Sequence, residues 1–258
     1  MTTALAPANQ QRALYEELGF IFVRSLLDPA VIEKALEEAI TLRERHDLIS
    51  TRNLRCRWQT NVRTKECQFE TFDPIIDLSP ACEALARDAG LMAVLAELYG
   101  EPACLFKDKL IYKPPGCPGY GLHQDWIAWD GFPRSFLTVL IPLEPATLAN
   151  GCTVVYPGYH RNGSLSVTDG NYHELPAEIV DESIAVPLEL NVGDVAIFGG
   201  FTPHRSAPNM TNGWRRQLYL SYNKTSDGGD QRDAHYQEFH CWLRKKYAEY
   251  GKTEVYFE

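Results

Sequence analysis

A histidine and an aspartate stand one residue apart in the stretch GLHQDWIAWDGFP, residues 121–133. On a β-strand, residues i and i+2 point to the same face, so His123 and Asp125 are predicted to project side by side. Imidazole nitrogen and carboxylate oxygen both bind divalent metals, and one more histidine completes a ligand set that leaves open positions on iron. The pair alone also fits a histidine that hydrogen-bonds a carboxylate for stability. The metal prediction therefore depends on a third ligand elsewhere in the chain.

A second stretch, GDVAIFGGFTPHRSAPNMTNGWRRQLYLSYN, supplies that histidine. His204 follows a Gly-Gly-Phe-Thr-Pro bend, and Arg215 opens the next predicted strand. Antiparallel strands joined by a loop of this length can place both side chains in one pocket. A guanidinium holds a carboxylate through two parallel, charge-assisted hydrogen bonds, and a metal with such an anchor indicates a 2-oxoglutarate site. Adjacent strand residues face opposite ways, so only one of Arg215 and Arg216 can enter the pocket, and the spacing favours Arg215.

The elements that must position these residues change in character near residue 102. Helices are predicted at residues 10–18, 29–46, 79–99 (with a break near Gly90) and 233–250, and a short strand at 19–24. Between 103 and 222, many short β-rich pieces separated by PPG, NG, VGD and GG turns predict a jelly roll of about eight strands. We expect one domain, with a mostly helical part (1–101), a jelly-roll core (102–225) and a C-terminal helix segment (226–258).

Composition and charge exclude several classes of protein. The 258 residues carry a formal net charge of −9, which argues against a general nucleic-acid binder. There is no run of about 18 apolar residues that would span a membrane, and MTTALAPANQQ lacks the features of a signal peptide. The seven cysteines are irregularly spaced and form no C-x-x-C pair. We expect reduced thiols, a cytoplasmic location, a small-molecule substrate, and neither nucleic acid nor membrane as partner.

Four motifs follow one another along the chain: FKDKLIYKPPG, then H-Q-D, then NGCTVVYPGYH, then H-R-S-x-P-N-x(5)-R. Over residues 10–240 this set resembles the phytanoyl-CoA dioxygenase-like family of oxygenases. The resemblance implies a mainly β fold with flanking helices, a double-stranded β-helix of the cupin-like jelly-roll type. It also implies Fe(II) as cofactor, 2-oxoglutarate as cosubstrate, and O₂. One motif departs from the family, because the usual P-G-S-H is P-G-Y-H here.

The resemblance assigns a role to each residue of the two stretches. His123, Asp125 and His204 would bind the iron. Arg215 would pair with the distal carboxylate of 2-oxoglutarate, and Ser206 would add a hydrogen bond to it.

Three further residues are assigned to the pocket by the same resemblance. Lys107 occupies a strand position whose counterpart in relatives contacts the cosubstrate. Ectoine hydroxylase, a member of the family, has an aromatic residue three positions before the first ligand and a tryptophan four positions after the aspartate. These positions match Tyr120 and Trp129, which would wall the pocket.

The implied reaction is oxidation of an unactivated C–H bond, with decarboxylation of 2-oxoglutarate to succinate. Related halogenases replace the carboxylate ligand with a small residue, so Asp125 favours hydroxylation or oxidative cyclisation. The Trp, Tyr, Gln and Arg content of the predicted wall favours a small polar or secondary metabolite, such as a sugar-containing compound in antibiotic biosynthesis, over an acyl-CoA. Two alternatives stay open: a cupin-type metal isomerase or hydrolase, which would leave Arg215 without a dicarboxylate, and a sugar-binding jelly roll without turnover.

Overall fold

The computed structural model describes residues 8–250, with side chains for residues 10–245. Residues 1–7, on which the signal-peptide prediction partly rests, lie outside the described residues. So does 251–258, the end of the predicted C-terminal segment.

The helices are α1 (Ala8–Leu18), α2 (Pro29–Arg43), α3 (Pro80–Ala86), α4 (Ala89–Tyr99) and α5 (Arg232–Tyr250). Asp28 and Ser79 cap α2 and α3, each accepting a hydrogen bond from a first-turn backbone N–H, with proline at the first helical positions. The block predicted at 79–99 is two helices, because the Asp88 side chain caps a new one. Gly100, with φ of 73°, ends α4. Among the described residues, no helix combines the length and apolar character that a bilayer span requires.

The strands form two antiparallel sheets that share a core. The strands are β1 (Phe20–Val23), β2 (Cys56–Thr60), β3 (Cys67–Phe72), β4 (Ala103–Lys113), β5 (Tyr120–His123), β6 (Leu137–Pro142), β7 (Thr153–Val155), β8 (Val186–Pro187), β9 (Val195–Gly199), β10 (His204–Ser206) and β11 (Arg215–Lys224). The large sheet has the order β1-β9-β6-β11-β4-β3-β2, and the small sheet β5-β10-β7-β8. Leu140 and Phe198 of the large sheet pack with Val155 of the small one, which closes the jelly roll.

The two faces of the large sheet have different surroundings. Leu218 and Leu220 of β11 are fully buried in the cluster that includes Ile32 of α2 and Leu95 of α4, so this face carries the helices. The alternate residues of β11 and β4 point into the space between the sheets. In the register of β11 with β4, Arg215 faces Lys113, and Tyr219 faces Lys109. The pocket is therefore lined on this side by charged and polar side chains.

The predicted jelly roll is confirmed, with differences in its parts. The described residues contain more strands than the eight expected, because β2 and β3 form in a stretch that gave no clear pattern. β1, β2 and β3 all belong to the part expected to be mostly helical, and they extend both edges of the large sheet. The strand predicted over 121–129 ends at His123.

Candidate metal centre and cosubstrate pocket

The three predicted iron ligands meet between the sheets. His123 ends β5 and His204 begins β10, and the two are direct register partners. Oδ1 of Asp125 lies 3.8 Å from Nε2 of His123 and 3.6 Å from Nε2 of His204. One ligand atom from each residue lies within 4.8 Å of the other two. Within residues 8–250, this is the one such group of histidine, cysteine and acidic side chains.

Asp125 reaches this position by a route other than the one predicted. The strand ends at His123, so strand alternation does not orient Asp125, and that part of the prediction is wrong. Instead, the N–H of Trp126 donates to Gly200 O at 3.0 Å, which ties the backbone after Asp125 to the bend before His204. The Thr138 hydroxyl donates to Oδ2 of Asp125 at 2.7 Å, which leaves Oδ1 towards the histidines.

Both imidazole rings are held by backbone carbonyls. Nδ1 of His123 lies 2.8 Å from Gly121 O, and Nδ1 of His204 lies 3.0 Å from Thr202 O. Because a carbonyl only accepts hydrogen bonds, these contacts assign the proton to Nδ1 in each ring. The lone pair of each Nε2 is then available to a metal, and the ring orientation is fixed before metal binds.

The protonation states suit a metal site. Burial, reinforced by the nearby His204, lowers the pKa of His123 to about 3. Burial alone would raise the pKa of Asp125, but interactions with His204 and Lys109 outweigh it and lower that pKa to about 2. At neutral pH the imidazole of His123 is neutral and Asp125 is ionised. Two imidazoles with one carboxylate are a donor set that fits Fe(II).

Arg215 is buried in the same space without a carboxylate partner. Its side chain is 1% exposed, and its Nη1 donates to Gln217 Oε1 at 2.7 Å and to the Tyr219 hydroxyl at 3.2 Å. Its Nε makes no hydrogen bond, and no ion pair is formed by this residue within the described part of the chain. Arg216 points the other way and pairs with Glu144 at 2.9 Å. A buried guanidinium without a counter-ion is costly, so the pocket is built for an anionic ligand.

Lys113, which the sequence reading did not single out, lies beside Arg215. It is fully buried on the facing strand, and its Nζ donates to Gly151 O at 3.1 Å and lies 3.3 Å from Ser206 Oγ. Ser206 also accepts a hydrogen bond from the N–H of Tyr120 at 3.2 Å. Ser206 therefore lies next to Lys113, which faces Arg215 in the sheet register. In the sequence, Lys113 could have been recognised as the lysine of the KPPG motif, at the end of β4.

Lys107 lies at the other end of the pocket from Lys113. Lys113 is six positions after Lys107 along β4, which corresponds to about 20 Å of extended chain. Nζ of Lys107 is 3.2 Å from Oδ2 of Asp73 and 4.4 Å from the ring centre of Phe239 in α5. The structure thus places Lys113, and not Lys107, next to Arg215.

The two predicted wall residues differ in position. The ring of Tyr120 lies 6.4 Å from that of His123, and its hydroxyl donates to Oε2 of Glu70 at 2.7 Å. Trp129 packs against Trp242 of α5, with ring centres 5.7 Å apart. Its Nε1–H donates to the carbonyl of Gly170. Tyr120 flanks the metal centre, whereas Trp129 joins its own loop to α5 and to the segment around Gly170.

Residues 163–175 form neither a helix nor a strand, and they cover the metal side of the pocket. We call them the cover segment. The ring of Tyr172 lies 5.2 Å from that of His123. Gln124, the middle residue of H-Q-D, holds the start of the segment. Its Nε2 donates to Gly163 O at 2.9 Å and to Phe201 O at 2.6 Å, and its Oε1 accepts from the N–H of Leu165 at 2.7 Å. One buried side chain thus joins both ligand-bearing segments to the cover segment.

Comparison with known proteins identifies the family. The family model for phytanoyl-CoA dioxygenase (PhyH) matches residues 15–217. The chain belongs to this family. A methylphosphonate hydroxylase from Gimesia maris is 35% identical over 178 residues, which are 66% of this chain and 65% of that protein. A 2-aminoethylphosphonate dioxygenase from an uncultured bacterium is 26% identical over 234 residues, 87% of this chain and 85% of that protein.

A solved structure adds a comparison of fold. The epimerase SnoN, in complex with Fe³⁺, alpha-ketoglutarate and nogalamycin RO, superposes with a TM-score of 0.70 at 22% identity over 84% of each chain. The predicted membership of the phytanoyl-CoA dioxygenase family is confirmed. The predicted class of enzyme, an iron- and 2-oxoglutarate-dependent dioxygenase, is confirmed by the family, its relatives and the His-Asp-His site.

Replacing Gln124 by leucine should release the cover segment. The change leaves the N–H of Leu165 and the carbonyls of Gly163 and Phe201 without partners, at a cost of roughly 2–4 kcal/mol in the free energy of unfolding. Amide hydrogen exchange in residues 163–175 should accelerate more than exchange in the large sheet. Gln10→Leu, on the exposed side of α1, makes the same chemical change and should have neither effect. Unchanged exchange of the cover segment in Gln124→Leu would show that this side chain does not hold it.

The affinity for 2-oxoglutarate should depend on pH through Lys113. Burial, with the charge of Arg215, lowers the pKa of this lysine to about 7. Below that pH the pocket offers two cations to a distal carboxylate, and above it only one. The dissociation constant of 2-oxoglutarate, measured by calorimetry on the anaerobic Fe(II) protein, should rise severalfold from about pH 6 to about pH 8.5. Lys113→Met should bind more weakly at the lower pH and lose this slope; a variant that keeps the slope contradicts the assignment.

Proposed function

We propose that the protein hydroxylates a C–H bond of a small organophosphonate, with Fe(II), 2-oxoglutarate and O₂. The decarboxylation of 2-oxoglutarate to succinate accompanies the reaction. The observation that carries the proposal is the arrangement of two carbonyl-held imidazoles and Asp125 in one buried space with the unpaired guanidinium of Arg215.

The substrate class follows from the two relatives described above. One is a methylphosphonate hydroxylase and the other a 2-aminoethylphosphonate dioxygenase. A phosphonate is a small polar metabolite, the substrate type expected from the sequence. The match to the first relative spans 65% of its length, so the transfer of its substrate class to this chain is part of the proposal.

Different residues of the chain would bind the iron, bind 2-oxoglutarate and exclude water. His123, Asp125 and His204 would hold the iron, which when bound supplies positions for the keto acid of 2-oxoglutarate and for O₂. Arg215, Lys113 and Ser206 would hold the distal carboxylate and so orient the keto acid. The cover segment would keep bulk water from the site, which strengthens every electrostatic contact inside it.

The alternatives explain less of the pocket. A cupin-type isomerase or hydrolase uses the metal but leaves the cations of Arg215 and Lys113 without a ligand. A sugar-binding jelly roll explains neither the metal ligand set nor these cations. A second candidate function is the oxidation of an antibiotic precursor. It is favoured by the similarity of the fold to that of SnoN and by the Trp, Tyr, Gln and Arg side chains expected in the pocket wall.

Location and domain organisation are also proposed. Burial raises the pKa of the Cys82 and Cys117 thiols to about 12, which supports inert, reduced cysteines and a cytoplasmic enzyme. We propose a single domain for residues 1–258, because strands from the N-terminal part extend the jelly-roll sheet and α5 packs on β4.

Turnover of a phosphonate tests the proposal. The protein is loaded with Fe(II) without oxygen, then given 2-oxoglutarate, O₂ and either methylphosphonate or 2-aminoethylphosphonate. Phosphorus NMR and mass spectrometry should show a product that has gained one oxygen atom, formed together with an equal amount of succinate. His204→Ala should form neither compound. No hydroxylated phosphonate from the wild-type enzyme, under conditions where succinate is formed, would rule out this substrate class.

A further inference from the structure

Two lysines on the pocket face of β4, Lys107 and Lys109, are not the register partners of Arg215, although the resemblance assigned Lys107 to the cosubstrate. In the sheet register Lys107 faces Ser221 of β11, and Ser221 faces Thr138 of β6. These three residues form one row across neighbouring strands, and Thr138 holds Asp125 through its hydroxyl. Strands lie about 4.8 Å apart, so the backbone of Lys107 is about 10 Å from that of Thr138. The flexible four-carbon stem of a lysine can cover much of that distance.

Lys109 lies on the same face, between Lys107 and the cosubstrate pocket. Its Nζ is 5.4 Å from the ring centre of Tyr219, its partner in the register. Within residues 10–245, Lys109 makes no hydrogen bond or ion pair with another side chain. A cation that is partly buried without such a partner is costly, which points to an anion supplied from outside the chain.

Asp73 and Glu70, two buried carboxylates on this side of the pocket, each have partners other than Lys109. Asp73 is 3.2 Å from Nζ of Lys107 and also 3.6 Å from a guanidinium nitrogen of Arg57, so one carboxylate is shared. Its other oxygen accepts a hydrogen bond from the hydroxyl of Tyr236. Glu70, the other buried carboxyl here, already accepts the hydroxyl of Tyr120 at 2.7 Å. Lys109 therefore forms no close ion pair within the described residues. Asp125, with which it interacts at longer range, is the carboxylate that the iron would neutralise.

We propose that Lys107 and Lys109 form the subsite that binds the phosphonate group of the substrate; this inference rests on the function proposed above. The planar fork of Arg215 suits a planar carboxylate, whereas two lysines act as point charges that suit a tetrahedral, dianionic phosphonate. The pocket thus distinguishes the planar carboxylate of 2-oxoglutarate from the tetrahedral phosphonate of the substrate by the shape of the cationic groups. 2-Oxoglutarate is held at the Arg215 end, and the substrate at the Lys107 end, in the row that supports Asp125.

Binding measurements on four variants test this separation. The Fe(II)-loaded protein is kept without oxygen, and calorimetry gives dissociation constants for 2-oxoglutarate and, in its presence, for methylphosphonate. Lys107→Met and Lys109→Met should each weaken methylphosphonate at least about tenfold, because a charge-assisted contact is lost, with 2-oxoglutarate changed by less than about twofold. Lys113→Met should do the reverse. Lys65→Met, on an exposed turn, controls for loss of a lysine and should change neither constant.

Other binding results would refute either the lysine subsite or the proposed function. Weaker 2-oxoglutarate binding in Lys109→Met, with methylphosphonate unchanged, would assign this lysine to the cosubstrate and refute the subsite. Unchanged methylphosphonate binding in both lysine variants of an enzyme that hydroxylates it would refute the subsite but leave the proposed function standing. A wild-type protein that neither binds nor oxidises methylphosphonate or 2-aminoethylphosphonate would refute both. Near-ultraviolet circular dichroism of each variant, expected to match the wild type, separates these results from misfolding.

Discussion

The structure depends on the burial of charge between two sheets. Asp125 and Arg215 lie between the sheets with two imidazoles and a buried lysine, yet no ion pair joins these two charged residues. Apolar side chains at these positions would make the fold more stable, because isolated buried charges lower the free energy of unfolding by several kcal/mol. Their persistence in an otherwise apolar core, which includes Leu140, Phe198 and Val155, is explained by ligands that complete the charge balance.

Preorganisation of the metal ligands comes from contacts that are not local in sequence. Each histidine donates to the carbonyl two residues before it, which fixes the ring, but the carboxylate is held by Thr138 from another strand. The bend that carries His204 is joined to the segment after Asp125 through Gly200. The pairing of β5 with β10 in the small sheet therefore sets the distance between the two histidines, and Thr138 of the large sheet positions Asp125 beside them. The cover segment is attached to the same residues through Gln124.

The sequence predicted which residues come together better than the contacts that bring them together. The H-x-D spacing, the histidine after a Gly-Pro bend and the arginine eleven residues later were enough to place His123, His204 and Arg215 in one pocket. Strand alternation failed for Asp125, because a contact between residues 126 and 200 ends the strand early. The sequence did not single out Lys113, because only the register of β4 with β11 shows which lysine of β4 faces Arg215. Nothing local marks Gln124, whose three partners lie at positions 163, 165 and 201.

We propose that His123, Asp125 and His204 bind one iron while Arg215 binds the distal carboxylate of 2-oxoglutarate. The most direct test of this proposal is the visible metal-to-ligand charge-transfer absorption of the Fe(II)–2-oxoglutarate chelate, recorded without oxygen during a titration with 2-oxoglutarate. The wild type should develop the band at one iron per chain, His204→Ala should not, and Arg215→Ala should develop it only at much higher 2-oxoglutarate concentrations. A band that His204→Ala retains, or one that the iron-loaded wild type never shows, would contradict the account.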